Sequence, residues 1–223
     1  MTKRPPKTDR ELYVESILSQ IKPYPGIPAL PEGTDRREYE AYTSSPSGLL
    51  TFVDKVKSLL LDYQHEKILP GNILFDGQFL QGLKNGFAND MDCDGVFYSG
   101  QFSDGDKNGP GIIIYPHHRT FIAVKADFTK NQFKGSGLCL MRSGEIMDTH
   151  FDKSYLAIKS QRIVNTILQP NGELYTGGIR EFEKEGQGKF FSKDGTVYDG
   201  IFKNDVKEGE GRVNNPDGSS FRA

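Results

Sequence analysis

The residues best suited to metal binding or nucleophilic catalysis are few and scattered along the sequence. The four histidines are His65, His117, His118 and His150, and the two cysteines are Cys93 and Cys139. A zinc site needs three or four converging ligands, usually at short spacing, and no stretch of this sequence supplies them. We therefore expect no metal site, and we expect both cysteines to be reduced thiols.

The glycine-rich stretches resemble phosphate-binding loops only superficially. No Gly-Lys-Ser/Thr motif follows any of them, and no strand, glycine turn and helix succeed one another around them. The carboxylates near the C-terminus, such as Glu181, Glu183 and Glu185, fall in or near turns, where solvated side chains are the rule. These patterns predict neither a catalytic site nor a cofactor, and we expect the chain not to be an enzyme.

Charge and hydropathy narrow the classes of partner. The net charge of −2 favours neither nucleic acid nor an anionic membrane surface. No apolar run approaches the ~18 residues that a membrane-spanning helix needs. The basic start Met1–Lys7 is not followed by the apolar core of a signal peptide. We therefore expect an intracellular protein that does not bind nucleic acid.

The composition changes near His65, and we place a domain boundary there, between residues 1–65 and residues 66–223. Only three of the 25 glycines precede it. Residues 1–65 indicate two short helices joined by a proline-rich arm, and the first helix opens with a capping box from Thr8 to Glu11. The helices have apolar faces that either pack on the chain's own sheet or bind another protein. The candidate partner-binding residues there are Val14, Ile17, Leu18, Ile21, Phe52, Val53, Val56 and Leu60.

A pattern of aromatic residues and glycines recurs at steps of 23 residues after the boundary. Its first part, aromatic-x-Gly-x-aromatic or a close variant, is formed by Phe75, Gly77 and Phe79, by Tyr98, Gly100 and Phe102, by Tyr175, Gly177 and Ile179, and by Tyr198, Gly200 and Phe202. Its second part, Gly-x-Gly, is formed by Gly109 and Gly111, Gly135 and Gly137, Gly186 and Gly188, and Gly209 and Gly211. Turn glycines precede the aromatic starts at Gly95, Gly144, Gly172, Gly195 and Gly218.

This pattern predicts a repeating β-hairpin. Alternate residues of a strand share a face, so the two aromatic residues and the glycine between them lie on one side. We expect the glycine to leave a gap for a neighbouring hairpin and Gly-x-Gly to open the second strand. Because a lone hairpin is marginal in water, the hairpins should stack into an elongated solenoid.

The spaced motifs resemble the MORN (membrane occupation and recognition nexus) repeat over about residues 70–223. The resemblance implies a mainly β fold, a single-layer antiparallel hairpin solenoid of about six units with an α-helical N-terminal extension. The central units are irregular, because Ala123 stands where glycine is expected and the steps from Phe121 to Met147 and from Met147 to Tyr175 are 26 and 28 residues. We expect bulges or longer loops around residues 125–134 and 152–162.

The resemblance also implies a non-catalytic function. MORN proteins act as scaffolds, so we expect a scaffold or accessory subunit that binds other proteins in a large eukaryotic assembly, in a cilium, a flagellum or the cytoskeleton. Alternatives are an accessory subunit of a mitochondrial or other enzyme complex, and a peripheral phospholipid-binding protein, which the near-neutral charge supports little. Phe221 begins a seventh unit, and we expect that C-terminal strand edge to mediate self-association.

Overall fold

In a computed structural model, which describes residues 7–24, 46–65, 74–151 and 165–222, two helices precede a β-sheet. Helix α1 spans Asp9–Leu18 and helix α2 spans Pro46–His65. The expected capping box is present, since Thr8 and Glu11 each bond the other's backbone N–H. Helix α1 ends at Leu18, and beyond it the Ser19 and Gln20 side chains donate to the Ser16 carbonyl.

Thirteen strands of the described residues form one open antiparallel sheet in which each strand pairs with the next along the chain. This arrangement confirms the predicted mainly β hairpin solenoid. The strands are β1 Leu74–Leu80, β2 Leu83–Met91, β3 Phe97–Ser103, β4 Asp106–Ile114, β5 Phe121–Thr129, β6 Gln132–Met141, β7 Ile146–Phe151, β8 Asn165–Leu168, β9 Leu174–Arg180, β10 Glu183–Phe191, β11 Val197–Lys203, β12 Val206–Asn214 and β13 Ser220–Arg222.

The turns follow the sequence pattern closely. All five turn glycines predicted between units have positive φ, from +76° at Gly95 to +97° at Gly144. Of the bulge or longer loop expected around residues 125–134, the structure shows a bulge in the pairing of β5 with β6 near Ala126, and the two strands are joined by the two-residue turn Lys130-Asn131. Most of the other expected irregularity, around residues 152–162, lies outside the described residues.

The two glycines of Gly-x-Gly have different roles. The motif lies inside the second strand of each hairpin rather than opening it, which corrects the prediction. The first glycine has positive φ, +108° at Gly109, and lies where the strand pairing shifts register. The second, Gly111, lies under the ring of Tyr98, and a Cβ atom there would come within 2.5 Å of that ring. The same ring also covers Gly100.

The gap between the aromatic residues is therefore filled from within the same hairpin, not by a neighbouring hairpin as expected. In every strongly patterned tyrosine unit, one ring covers the glycine of the first strand and the second glycine of the second strand. Tyr175 covers Gly177 and Gly188, and Tyr198 covers Gly200 and Gly211. These repeat-defining residues thus form one local contact in each unit, in which glycine is needed for close approach.

Each face of the sheet has its own apolar cluster. The helix face is covered by α1 and α2 and includes Phe97, Ile114, Ile122, Leu140, Ile146, Leu168, Leu174 and Val197. The aromatic face lies on the opposite side and includes Tyr98, Phe102, Phe128, Phe151, Tyr175, Tyr198 and Phe202. Neighbours such as Val197 and Tyr198 belong to different clusters, as the two-residue period of a strand requires.

Hydrogen bonds fasten the N-terminal extension to the turns between units. The Tyr13 hydroxyl donates to the Gly95 carbonyl at 2.6 Å, and the Tyr24 hydroxyl donates to the Gly144 carbonyl at 2.6 Å. Both acceptors are turn glycines of the repeat. The two helices also touch each other, where the Arg10 guanidinium lies over the Tyr63 ring. Residues before and after His65 therefore share one core.

Substituting valine for Gly100 or Gly200 should destabilise the chain by about 3 kcal/mol, because each new side chain would collide with the tyrosine ring above it. Chemical denaturation followed by circular dichroism measures this loss. Gly48→Ala serves as the control, since a Cβ atom at Gly48 meets nothing within 4 Å. If all three variants unfold like the wild type, the close contact between ring and glycine does not support the fold.

Placing a carboxylate between α2 and the sheet should loosen the whole chain. Val56 is fully buried in the shared core, so Val56→Asp should lower the melting temperature strongly, because a buried unpaired carboxylate is costly. Lys55→Asp places the same group on the exposed side of α2 and should change the melting temperature little. Equal melting curves for the two variants would contradict docking of α2 on the sheet.

Candidate interaction surfaces

Few of the described residues are arranged for chemistry. No group of three or more His, Cys, Asp and Glu side chains that could hold a metal ion occurs among them. Cys93 is exposed and Cys139 is buried, and burial raises the pKa of the Cys139 thiol. His118 has a structural role, because its Nδ1 atom accepts hydrogen bonds from the N–H groups of Thr120 and Phe121. Burial raises the pKa of Asp148 to about 6. Asp148 belongs to no group of possible metal ligands among the described residues.

The aromatic face is held by edge-to-face ring contacts that run from unit to unit. The Tyr98 ring lies 5.2 Å from Phe102 in its own unit and 5.1 Å from Phe128 in the next. Tyr175 makes the corresponding contact with Phe202 at 5.0 Å. Offset and edge-to-face pairs of this kind add about 0.5–1.5 kcal/mol each beyond their buried area. In these units the first ring thus covers the second ring of the following unit.

Two of the tyrosine hydroxyls at this face are tied to the backbone, whereas the buried hydroxyl of Tyr198 has no hydrogen-bond partner among the described residues. Tyr98 Oη donates to the Gln101 carbonyl at 3.0 Å, and Tyr175 Oη donates to the Gly178 carbonyl at 2.7 Å. Burial raises the pKa of Tyr98 to about 12, so this phenol stays protonated and keeps donating at any physiological pH. The hydroxyls therefore position the rings and are not poised for acid–base catalysis.

A row of lysines over the rings was missed by the sequence analysis. Lys84, Lys107, Lys184 and Lys207 each place Nζ within 6 Å of an aromatic ring centre on this face. Each is the second residue after a hairpin turn, and the steps from Lys84 to Lys107 and from Lys184 to Lys207 are both 23 residues, which is the signal that could have revealed them. Lys84 is paired with Asp90 at 2.7 Å and Lys184 with Asp205 at 3.1 Å.

Phe182 closes the middle of the aromatic face. It lies in the turn between β9 and β10, yet its ring reaches Phe121 at 5.5 Å and Phe151 at 6.5 Å. Tyr98, Tyr175 and most of the other rings on this face are accordingly buried. The repeat-defining rings are therefore mainly core, and they do not line an open aromatic groove.

The apolar faces of the helices are also internal. Of the two alternatives left by the sequence, packing on the chain's own sheet is the one found in the structure. The side chains of the candidate partner-binding residues Val14, Ile17, Ile21, Phe52, Val53, Val56 and Leu60 are buried in the cluster of the helix face, and Leu18 packs against it. In this conformation a partner cannot reach them.

The large apolar side chains that remain exposed on the described sheet lie at its two ends. The first hairpin exposes Phe79, Leu80, Leu83 and Phe87, and the last strands expose Ile201, Val206 and Phe221. Phe221 is the one candidate partner-binding residue that the structure leaves at the surface. Of the repeat-defining aromatic residues, Phe79 is the one that is mainly exposed. The sequence pattern did not predict that the first hairpin is exposed, because the motif around Phe79 is the same as the motif around Phe102 or Phe202.

Helices α1 and α2 are both too short or too polar for a membrane crossing, as far as the described residues go.

Comparison with known proteins gives matches to a repeat family and to solved structures. No curated protein matches the chain at a significant level. Among solved structures, the chain matches the TCP domain of SAS-4 (dCPAP), solved with a proline-rich motif of Ana2 (dSTIL) of Drosophila melanogaster. The identity is 15%, the match covers 71% of this chain and 94% of that chain, and the TM-score is 0.35. Similarity at that level carries no argument about function.

The family model of the MORN repeat matches four segments of the chain, at residues 75–88, 98–116, 183–197 and 198–220. The matched segments fall in the first two and last two hairpins and the strand after them, where a ring covers paired small residues. The irregular central units lie between the matches. Sequence pattern, hairpin geometry and family model thus agree that the chain contains MORN repeats.

Proposed function

We propose that this chain is a non-catalytic scaffold or accessory subunit that binds other proteins within a large eukaryotic assembly. The observation that carries the proposal is the exposure of Phe79, Leu80, Leu83 and Phe87 on one hairpin. Clustered exposed apolar side chains mark interaction surfaces, whereas single ones do not. MORN repeats suggest a role in protein interaction or lipid binding, and this surface favours the first.

The other units of the chain indicate that the exposed apolar side chains are not a requirement of the repeat. At the position of Phe87, the middle residue of Gly-x-Gly, the other units have Pro110, Ser136, Gln187 and Glu210. A polar residue is thus compatible with the hairpin at this place. Phe87 is 65% exposed, so its apolar ring contributes little to the core of the chain. Contact with another protein accounts for its presence.

The proposed setting is a cilium, a flagellum or the cytoskeleton, with an accessory role in a mitochondrial or other enzyme complex as the alternative. Support for the setting comes from the repeat family alone. Self-association through the C-terminal edge also stays a prediction.

Peripheral phospholipid binding has less support. A membrane surface attracts exposed basic side chains at about 1 kcal/mol each. Two of the four lysines of the aromatic face are already paired with Asp90 and Asp205, and all four lie over rings of their own chain. The arrangement of these lysines serves the core of the chain more directly than it serves a lipid headgroup.

The test is purification of the tagged protein from its own cells, followed by cross-linking mass spectrometry. The wild-type chain should recover stoichiometric protein partners cross-linked to lysines near the first hairpin, such as Lys84. Phe87→Gln should lose them without unfolding, because Gln187 occupies the same position in another unit. Glu210→Gln, the same position at the other end of the sheet, should keep them. A wild-type chain recovered without protein partners would contradict the proposal.

A further inference from the structure

Strand β1 is an unusually open edge of the sheet. Among the described strands it is terminal, and it pairs only with β2. It has seven residues, of which Asp76–Leu80 are all exposed, and Asp76 is the single charged residue in it. Soluble proteins usually protect such edges by shortening them or adding charges.

The apolar character of this edge is specific to the first unit. At the position of Leu80, the last strand residue before the hairpin turn, four other hairpins have Ser103, Thr129, Arg180 and Lys203. At the position of Leu83, the following strands begin with Asp106, Gln132, Glu183 and Val206. Leu80 and Leu83 are 59% and 48% exposed. The first hairpin thus has two leucines where most units have polar residues.

Phe79 is exposed because the ring contact that covers its equivalents is missing. Phe102 and Phe202 are covered by the first ring of the preceding unit, at 5.9 Å from Phe75 and 5.0 Å from Tyr175. Phe79 is 61% exposed, against 5% for Phe102, and among the described residues its one ring contact is with Phe75 of its own strand. The series of rings is therefore incomplete at this end of the sheet.

The sequence of β1 reads almost the same in both directions. Leu-Phe-Asp-Gly-Gln-Phe-Leu is symmetric about Gly77, apart from the exchange of Asp76 and Gln78. If two copies paired antiparallel about a two-fold axis at Gly77, Phe75 of each chain would lie opposite Phe79 of the other. Asp76 would lie opposite Gln78, whose amide can donate to its carboxylate. No two like charges would face each other.

We propose that β1 is a self-association edge, through which two copies of this chain pair antiparallel about Gly77 and continue the sheet from one copy into the other. Phe75 and Phe79 lie on the same face of the strand, so each copy supplies the ring that the other's Phe79 lacks. An interface of this kind is isologous, the commonest arrangement in homodimers. The backbone hydrogen bonds of the added strand would hold the two copies together, and the ring pairs would set the register.

A second copy fits this edge because the edge is complementary to itself. The internal strand β11 has the same motif, with Asp199, Gly200 and Ile201 at its centre, but it ends in Lys203 and would oppose Val197 to lysine. Strand β9 likewise ends in Arg180. Only the exposed edge strand combines the symmetric sequence with freedom to pair. The inference deepens the proposed interaction role, but it concerns the purified chain alone.

Sedimentation velocity of the purified full-length chain tests the proposal, at concentrations from about 1 µM to about 100 µM, where small interfaces form and dissociate. The wild type should dimerise over this range. Gln78→Asp should be a monomer, because Asp76 of each chain would then face a second carboxylate, at residue 78 of the other chain. The control Ile201→Asp creates the same Asp-Gly-Asp sequence in β11 and should still dimerise. A monomeric wild type, or a dimer that Ile201→Asp abolishes and Gln78→Asp leaves intact, would overturn the proposal.

Disulfide formation tests the register. In a Cys93→Ser background, a mixture of the Asp76→Cys and Gln78→Cys chains should oxidise to a heterodimer in far higher yield than either chain alone, because residues 76 and 78 face each other across the axis. Equal yields in the mixture and in the separate chains would refute the register. These experiments need no cellular partner, so their failure would contradict self-association but not the proposed scaffold role. Failure of the partner purification would contradict the scaffold role but not self-association.

Discussion

The fold depends on one close contact, made where a tyrosine ring rests on two glycines of neighbouring strands. The Tyr98 ring rests on Gly100 and Gly111, and Tyr175 and Tyr198 make the same contact in their own units. Any side chain at the glycines would lift the ring, and lifting the ring would uncouple it from the next unit, as with Tyr98 and Phe128. The first glycine of Gly-x-Gly provides the bulge that lets the second strand pass beneath. The 23-residue period therefore reflects packing, because the contact forms again only where the tyrosine and both glycines recur at the same spacing.

Once that contact is made, both faces of the sheet are occupied by the chain itself. The aromatic face is filled by its own rings, by lysine stems and by Phe182, while α1 and α2 cover much of the other face. A stacked repeat buries each unit against its neighbours, so its ends differ from its middle. The exposure of Phe79, whose equivalent Phe102 is buried, is the consequence. A protein-binding role for this chain is thus more closely linked to the end of the solenoid than to a groove along it.

Sequence reasoning reached the hairpins, the turn glycines and the period, because each depends on local residue types. It failed where the outcome depended on distant contacts. The apolar stripe of Val56 and Leu60 has the same pattern whether it packs on a sheet of its own chain or on a partner, and only the fold distinguishes these cases. Phe182 was unremarkable as a turn residue, and Phe79 looked like a buried ring. The period of the lysines at 84, 107, 184 and 207 was visible in the sequence. The motif alone did not predict that these lysines lie over the rings.

The most direct measurement of the central claim is carbene footprinting of the full-length chain with residue-level mass spectrometry. It measures side-chain accessibility without substitutions. If the rings and the helices form the interior, Phe87, Val206 and Phe221 should be labelled strongly, while Tyr98, Tyr175 and Leu60 should be labelled only after unfolding. Strong labelling of Tyr98 and Tyr175 in the folded chain would mean that the aromatic face is an open groove. Strong labelling of Leu60 would mean that the helices stand away from the sheet, and either result would contradict the account.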